Sequence, residues 1–357
     1  MSAFRARIGF ALLSNPARPL PSTRVSVLNM LPHLREAGYE TYIIHEPNEP
    51  TETPDLSGLA DRVQALGLDI VYFQKIHGAG VRRQIAALRS AGVRTVYGVC
   101  DRVDNDLVRA TDATVIVTDF LKHQHAPELW ERIHVVHDGI ERPELTHSFA
   151  NEPLPNGRLR ATLVTSSALD AVPVLESAAR HRLEITMVGD YPQRATLFEL
   201  RRRARAAMSA SSLIPLLSRG FRAVRWHPQG VYDELRQADI GIIPVDTQPD
   251  PLPSGEVSWW QVKSENRLTL MMGLGLPVIA SPVPSYLGVV EQGVNGYIAR
   301  TPHDWLRAID ELRDPLRRHQ VGASARASVL ERFSKIEQAS RLVRVLNRLL
   351  IRSPALA

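Results

Sequence analysis

Short apolar runs recur along the first 140 residues, and each is followed by a stretch of helical periodicity. "RIGFALL" (7–13), "TYII" (41–44), "DIVYF" (69–73), "TVYGV" (95–99), "ATVIV" (113–117) and "IHVV" (133–136) are brief and rich in β-branched residues. Turn residues bound them, which is the pattern of buried strands. Strands apolar on both faces belong to parallel sheets covered by helices. Between the first two runs, "STRVSVLNMLPHLREAG" (22–38) has helical spacing, with Gly38 as its stop and Pro32 expected to kink it.

The rhythm pauses at "SFANEPLPNGR" (148–158), whose prolines, asparagines and glycine read as a linker. It resumes with "LRATLVT" (159–165), "LEITMVGD" (183–190), "AVRW" (223–226), "ADIGIIP" (238–244), "LPVIAS" (276–281) and "GYIA" (296–299). The alternation predicts an α/β protein of two tandem Rossmann-like, doubly wound domains facing a cleft. The boundaries are 1–150 for the first domain, 151–158 for the linker, 159–335 for the second domain and 336–357 for a terminal amphipathic helix. In that helix Ile336, Leu342, Val345, Leu346 and Leu349 repeat near helical spacing. The stripe has to pack on something, and crossing back to the first domain is one way to do so.

Composition adds few constraints. A chain of 357 residues with 44% hydrophobic and 23% charged side chains is an ordinary globular protein. The single cysteine, Cys100, excludes a disulfide framework or a Cys-rich zinc site and fits a reducing cytoplasm. No run approaches ~18 uninterrupted apolar residues. The first residues, "MSAFRARIGFALLSNP", read as the first strand rather than a leader. A net charge of +5 is too weak to argue for nucleic acid. Locally, Arg201, Arg202, Arg203, Arg205, Arg219, Arg222 and Arg225 surround Leu213, Ile214, Leu216 and Leu217. This insertion, 197–226, could dock on an anionic membrane surface, giving a peripheral place on the cytoplasmic face. A solvated helix and a covering loop is the plainer alternative.

Candidate chemistry gathers after the strands. In "KSENRLTLMMGLGLPVIASP" (263–282), Ser264 reads as the N-cap of a helix from about residue 265 to 273. Free backbone N–H groups and the helix dipole, with Lys263 and Arg267, would suit a phosphate or diphosphate. Solvated cations at a helix start are the alternative. In the first half, Ser22, Thr23 and Arg24 follow the first strand, able to hold a phosphate of donor or acceptor. Gln74, Lys75 and His77 follow the third strand, and Asp101, Asp104 and Asp106 the fourth. Asp101 could position an acceptor hydroxyl or take its proton. Capping and solvation explain the three aspartates better than a metal does. HExxH, paired CxxC and GxxxxGK[ST] do not occur.

"NRLTLMMGLGLPVIAS", "VVEQGVNGYIA" and "ARASVLERFS" resemble the C-terminal domain of GT-B glycosyltransferases of the broad "glycosyl transferases group 1" family. "MVGDYP" (187–192), "VRWHPQGVYDELRQADIGIIPV" (224–245) and "VHDGIE" (136–141) fall in that family's order. The likeness covers most of 130–345; the first domain matches in general layout.

The resemblance implies retaining transfer of a sugar from a nucleoside diphosphate sugar to a hydroxyl acceptor, a glycan or lipid-linked sugar. It implies no metal and no cofactor beyond the donor. Lys263, Asn266 and Arg267 would meet the donor diphosphate or ribose, Trp226 and His227 would lie near the nucleobase, and Gly189 and Asp190, also donor-side candidates, close the preceding strand-end turn. A core Trp226 and a surface His227 are the bland alternative. Lys75, Asp101 and Arg24 are the candidates for catalysis. Several positions depart from the family pattern. Leu270 and Val262 stand where it has glutamates, with Glu265 and Glu256 nearby but out of register. Thr165, Ser166 and Ser167 replace an Arg and Lys pair, and Cys100 replaces a His. A divergent donor site is therefore expected, with a catalytically silent binding module as the alternative.

Overall fold

The computed structural model describes residues 5–148, 154, 156–165, 182–189, 221–247 and 257–351. All twelve predicted runs are strands. The first sheet contains β1 (Ala6–Ala11), β2 (Tyr39–His45), β3 (Ile70–Gln74), β4 (Arg94–Val99), β5 (Ala113–Ile116) and β6 (Ile133–Val135). Its order is β2-β1-β3-β4-β5-β6, and every pairing is parallel. The second contains β7 (Leu159–Val164), β8 (Leu183–Gly189), β9 (Phe221–Arg225), β10 (Ile240–Ile243), β11 (Val278–Ala280) and β12 (Tyr297–Ile298). Its order is β12-β11-β10-β7-β8-β9, again wholly parallel.

The chain forms two compact units. One comprises Met1–Glu141, Val262–Ser264 and Phe333–Ala357; the other comprises Arg142–Gln261 and Glu265–Arg332. The passage between them comes at Glu141–Arg142, ahead of the composition break at 148–158. Hydrogen bonding explains the position. The Glu141 carboxylate accepts two bonds from Arg24 at 2.9 and 3.0 Å and one from Asn29 at 2.8 Å. Its carbonyl accepts from Lys335 Nζ at 2.8 Å. The next residue, Arg142, lies over the Tyr232 ring of the second unit, 5.8 Å from its centre.

The terminal helix, Lys335–Ile351, belongs to the first unit. Its Leu342, Val345, Leu346 and Leu349 join Ile8, Phe10, Tyr72 and Val96 in one core. Ile336, expected in the same stripe, is 70% exposed. Six residues before Leu342, it sits about 240° round the axis from that side chain. Just upstream, His137 N–H donates to Gln338 Oε1 at 2.9 Å and Ile140 N–H to the Phe333 carbonyl at 2.8 Å. Gln338 is fully buried.

The stretch 22–38 is interrupted rather than merely kinked. It runs as Pro21–Thr23, a π-helical turn over Arg24–Leu28, and a fresh helix over Leu31–Glu36. Pro32 has no N–H to bond the turn before it, so it stands in the first turn of a new helix.

Two outcomes test this packing. A Cβ on Gly98 would lie 2.1 Å from the Tyr72 hydroxyl, and Tyr72 is buried. Gly98→Ala should cost about 1–3 kcal/mol in thermal or urea unfolding; Gly288→Ala, whose Cβ meets nothing within 4 Å, should be close to neutral. Burial opposes the charge of Glu141, but the Arg24 bonds and charge, with Asn29 and Lys335, hold its carboxyl below the ordinary 4.5. Such a group stabilises the fold above its unfolded pKa and stops doing so as pH falls through its folded value. Glu141→Gln should therefore melt below wild type at neutral pH, with the gap closing in acid; a pH-independent gap would contradict this.

Candidate functional site

In open parallel sheets, ligands sit outside the carboxyl ends of the strands, where the winding reverses. The reversal falls between β1 and β3 in the first unit and between β7 and β10 in the second.

At the first reversal, Gln74 ends β3 and is 3% exposed. Its Oε1 accepts from Leu13 N–H at 3.1 Å and Thr23 Oγ1 at 2.9 Å, while Ser14 Oγ donates to Thr23 Oγ1 at 2.7 Å. These bonds shape the loop after β1. Lys75 follows with φ 56°, the only described non-glycine residue in the left-handed region. That conformation is costly for a side chain with a Cβ and persists because its surroundings hold it. Lys75 Nζ pairs with Asp101 Oδ2 at 2.7 Å and Glu52 Oε1 at 3.3 Å. Glu52 also meets Arg102 Nη2 at 2.8 Å and His77 Nε2 at 3.2 Å.

Burial disfavours the Lys75 charge, yet the carboxylates of Asp101 and Glu52 raise its pKa, so it is a cation. Burial opposes the Glu52 charge too, and Arg102, Lys75 and His77 outweigh it, holding the carboxyl below the ordinary range. The Cys100 thiol is pushed well up, first by burial and then by Asp101, and is a neutral thiol rather than a nucleophile. Ser22, Ser26, Tyr72, Lys75, Cys100 and His137 surround a small cavity beside it. His137 Nδ1 lies 2.9 Å from the Val117 carbonyl, so that nitrogen carries a proton.

The other first-half candidates have structural work. Arg24, expected to meet a phosphate, is engaged bidentately by Glu141. Asp104 caps the helix Asn105–Ala110, accepting from Leu107 N–H at 2.9 Å, and Asp106 is a solvated partner of Arg109. Among the described residues no three metal-ligating side chains converge.

At the second reversal lies the helix Asn266–Leu274. Ser264 is not its N-cap. Glu265 holds that position, 2% exposed, and Ser264 Oγ donates to Asp138 Oδ2 at 2.9 Å. The expected cluster is thus divided: Lys263 and Ser264 belong to the first unit, Asn266 and Arg267 to the second. Glu265 takes the N-cap position by its backbone, with no side-chain capping bond. Arg267 Nη1 donates to the Val164 carbonyl at 3.3 Å, which brings its guanidinium to the carboxyl end of β7. The buried Tyr286 hydroxyl shares the fields of Arg267 and Glu265, and burial raises its pKa, so it is a neutral phenol.

Thr165 closes β7, its N–H donating to the Val188 carbonyl at 2.9 Å. Gly189 ends β8 and its carbonyl accepts from Trp226 N–H at 2.6 Å. Trp226 is half-buried and His227 exposed at the start of the helix Gly230–Gln237, so neither is a core residue. Ser166, Ser167, Asp190, Glu256 and the insertion from 197 to 220 lie outside the described residues. Of the two positions lacking family glutamates, Val262 is buried and Leu270 half-buried.

Glu52, Asp138 and Tyr286 were not singled out as site residues from sequence. Glu52 and Tyr286 stand in loops or short helices with no motif. Asp138, 9% exposed and within 3.4 Å of Ser26 Oγ, lay inside the quoted "VHDGIE" without a role.

Residues 157–314 match the model of the family "Glycosyl transferases group 1". No curated protein matches the chain significantly. Among solved structures, a glycosyltransferase from Rickettsia africae is similar at a TM-score of 0.69 and 13% identity, covering 99% of this chain and all of that one. Anabaena HepE, solved with UDP and glucose, is similar at 0.66 and 14% identity, over 96% of this chain and all of that one. A sucrose-phosphate synthase from Thermosynechococcus elongatus is similar at 0.66 and 14% identity, over 98% and 100%. The two wholly parallel sheets give the chain the GT-B fold of these structures, and its residues 157–314, which hold all six strands of the second sheet, resemble the glycosyl transferases group 1 family.

Proposed function

We propose that the chain transfers a sugar from a nucleoside diphosphate sugar to a hydroxyl acceptor, a glycan or lipid-linked sugar, with retention and without a metal. The second unit is the donor side and the first the acceptor side. The reading carries with it a cytoplasmic place of action. What supports it most is Arg267, held at the carboxyl end of β7 at the winding reversal of the family-matched unit. Charge builds on the departing diphosphate in the transition state, and a fixed guanidinium aimed there lowers the barrier. Helix N–H groups beside it add to the effect.

In the first unit, the cation of Lys75 and the carboxylate of Asp101 orient one another, and together they can hold a hydroxyl and polarise its O–H bond. Uridine is the first nucleoside to test, because HepE has been solved with UDP-glucose.

Thermal shifts with UDP, GDP, dTDP and CMP should single out one nucleotide. Arg267→Ala should weaken its binding about tenfold to a hundredfold, the range for a charged hydrogen bond. Unchanged affinity would remove Arg267 from the donor site. Lys75→Met should lower kcat/KM by about a hundredfold while the nucleotide shift persists; loss of nucleotide binding would reassign Lys75 to the donor. Nucleotide binding with no turnover of any donor would favour the silent module, the reading that Val262 and Leu270 in the glutamate positions support.

A further inference from the structure

On the first unit, the edge strand β6 and the helices Asp119–His123 and Lys335–Ile351 border an open groove of about 350 Å³. Lys122, His134, Arg341, Arg344 and Arg348 line it with Asp119. The three arginines are spaced by three and four residues, which puts them on one helix face. Glu337, one turn earlier, accepts from Arg341 at 2.9 Å and Arg344 at 3.3 Å, so one carboxylate serves two guanidinium groups. Four cations here face two carboxylates, Asp119 and Glu337.

The ends of the same helix expose two large apolar side chains, Ile336 at 70% and Ile351 at 81%. Fifteen residues apart, they are about 22 Å apart along the axis and about 60° apart around it, on the side away from the core. The outer face therefore reads apolar, basic, apolar. No described helix is long and apolar enough to cross a membrane.

We infer that this face rests on an anionic lipid bilayer. The arginines and Lys122 meet headgroup phosphates, to which guanidinium bonds bidentately. Ile336 and Ile351 enter the boundary between headgroups and acyl chains. Nucleic acid would account for the charge but not for exposed isoleucines flanking it, and an acidic protein partner would not make binding follow the lipid composition of a vesicle. The inference does not depend on turnover at the sugar-transfer site and places membrane contact on an element other than the 197–226 insertion.

Flotation of the full chain with vesicles tests it. Binding should appear on phosphatidylcholine with about one-third phosphatidylglycerol, be absent on pure phosphatidylcholine, and fall steeply at about 0.5 M salt. The double variant Arg344→Gln, Arg348→Gln should bind about thirtyfold more weakly, since each cation near an anionic surface contributes about a fivefold factor. Ile351→Ser should weaken binding severalfold. The nucleotide-induced thermal shift should persist in all of these variants, separating this failure from failure of the donor site. Four results would overturn the inference: no binding to anionic vesicles, equal binding to neutral ones, full binding by the double variant, or binding abolished only by replacing Arg201, Arg202, Arg203 and Arg205. Should the double variant be unstable, the lipid-charge dependence of wild type and the Ile351→Ser result decide.

Discussion

Parallel hydrogen bonding is the constraint on which this protein depends. In each six-stranded sheet every neighbour runs the same way, so every strand ends at one edge. Crossovers must return outside the sheet, and both faces are then covered by helices. That is why the strands are short continuous apolar runs, and why the polar residues that could do chemistry follow them. Gln74, Lys75, Cys100, Asp101 and Thr165 all come at or just after a strand's carboxyl end.

The first unit depends on a second condition. Its sheet is completed by a helix from the far end of the chain, which supplies Leu342, Val345, Leu346 and Leu349 to the core. Polar bonds set the register of that return: His137 to Gln338, Ile140 to Phe333, and Lys335 to Glu141. A Cβ on Gly139 would come within 3.0 Å of Lys335, so the two segments lie too close for a side chain there. The same Glu141 holds Arg24 in a bidentate pair, which gives this cation beside the first strand an anchoring role.

Electrostatics divide the candidate residues by role. Lys75 is kept charged by two carboxylates in a backbone conformation that few lysines adopt, so the surroundings specify its position closely. Arg267 has a carbonyl partner, Val164, which fixes its guanidinium at the carboxyl end of β7. Glu265 alters the expected arrangement. It stands buried at the N-cap position that Ser264 was expected to hold.

Twelve strands, their order along the chain and the parallel class were legible in the sequence, and Pro32 marked a disturbance of the first helix though not its full interruption, because each depends on neighbours within a few residues. The "NRLTLMMGLGLPVIAS" helix and its basic start were legible for the same reason. Tertiary structure decided the partners. Glu52 reaches Lys75 across 23 positions, Arg24 reaches Glu141 across 117, and Ser264 reaches Asp138 across 126. It also turned Ile336 outward and took the N-cap from Ser264. Local pattern determines which backbone a segment adopts. Which charge meets which depends on how distant segments pack, and no local pattern carries that.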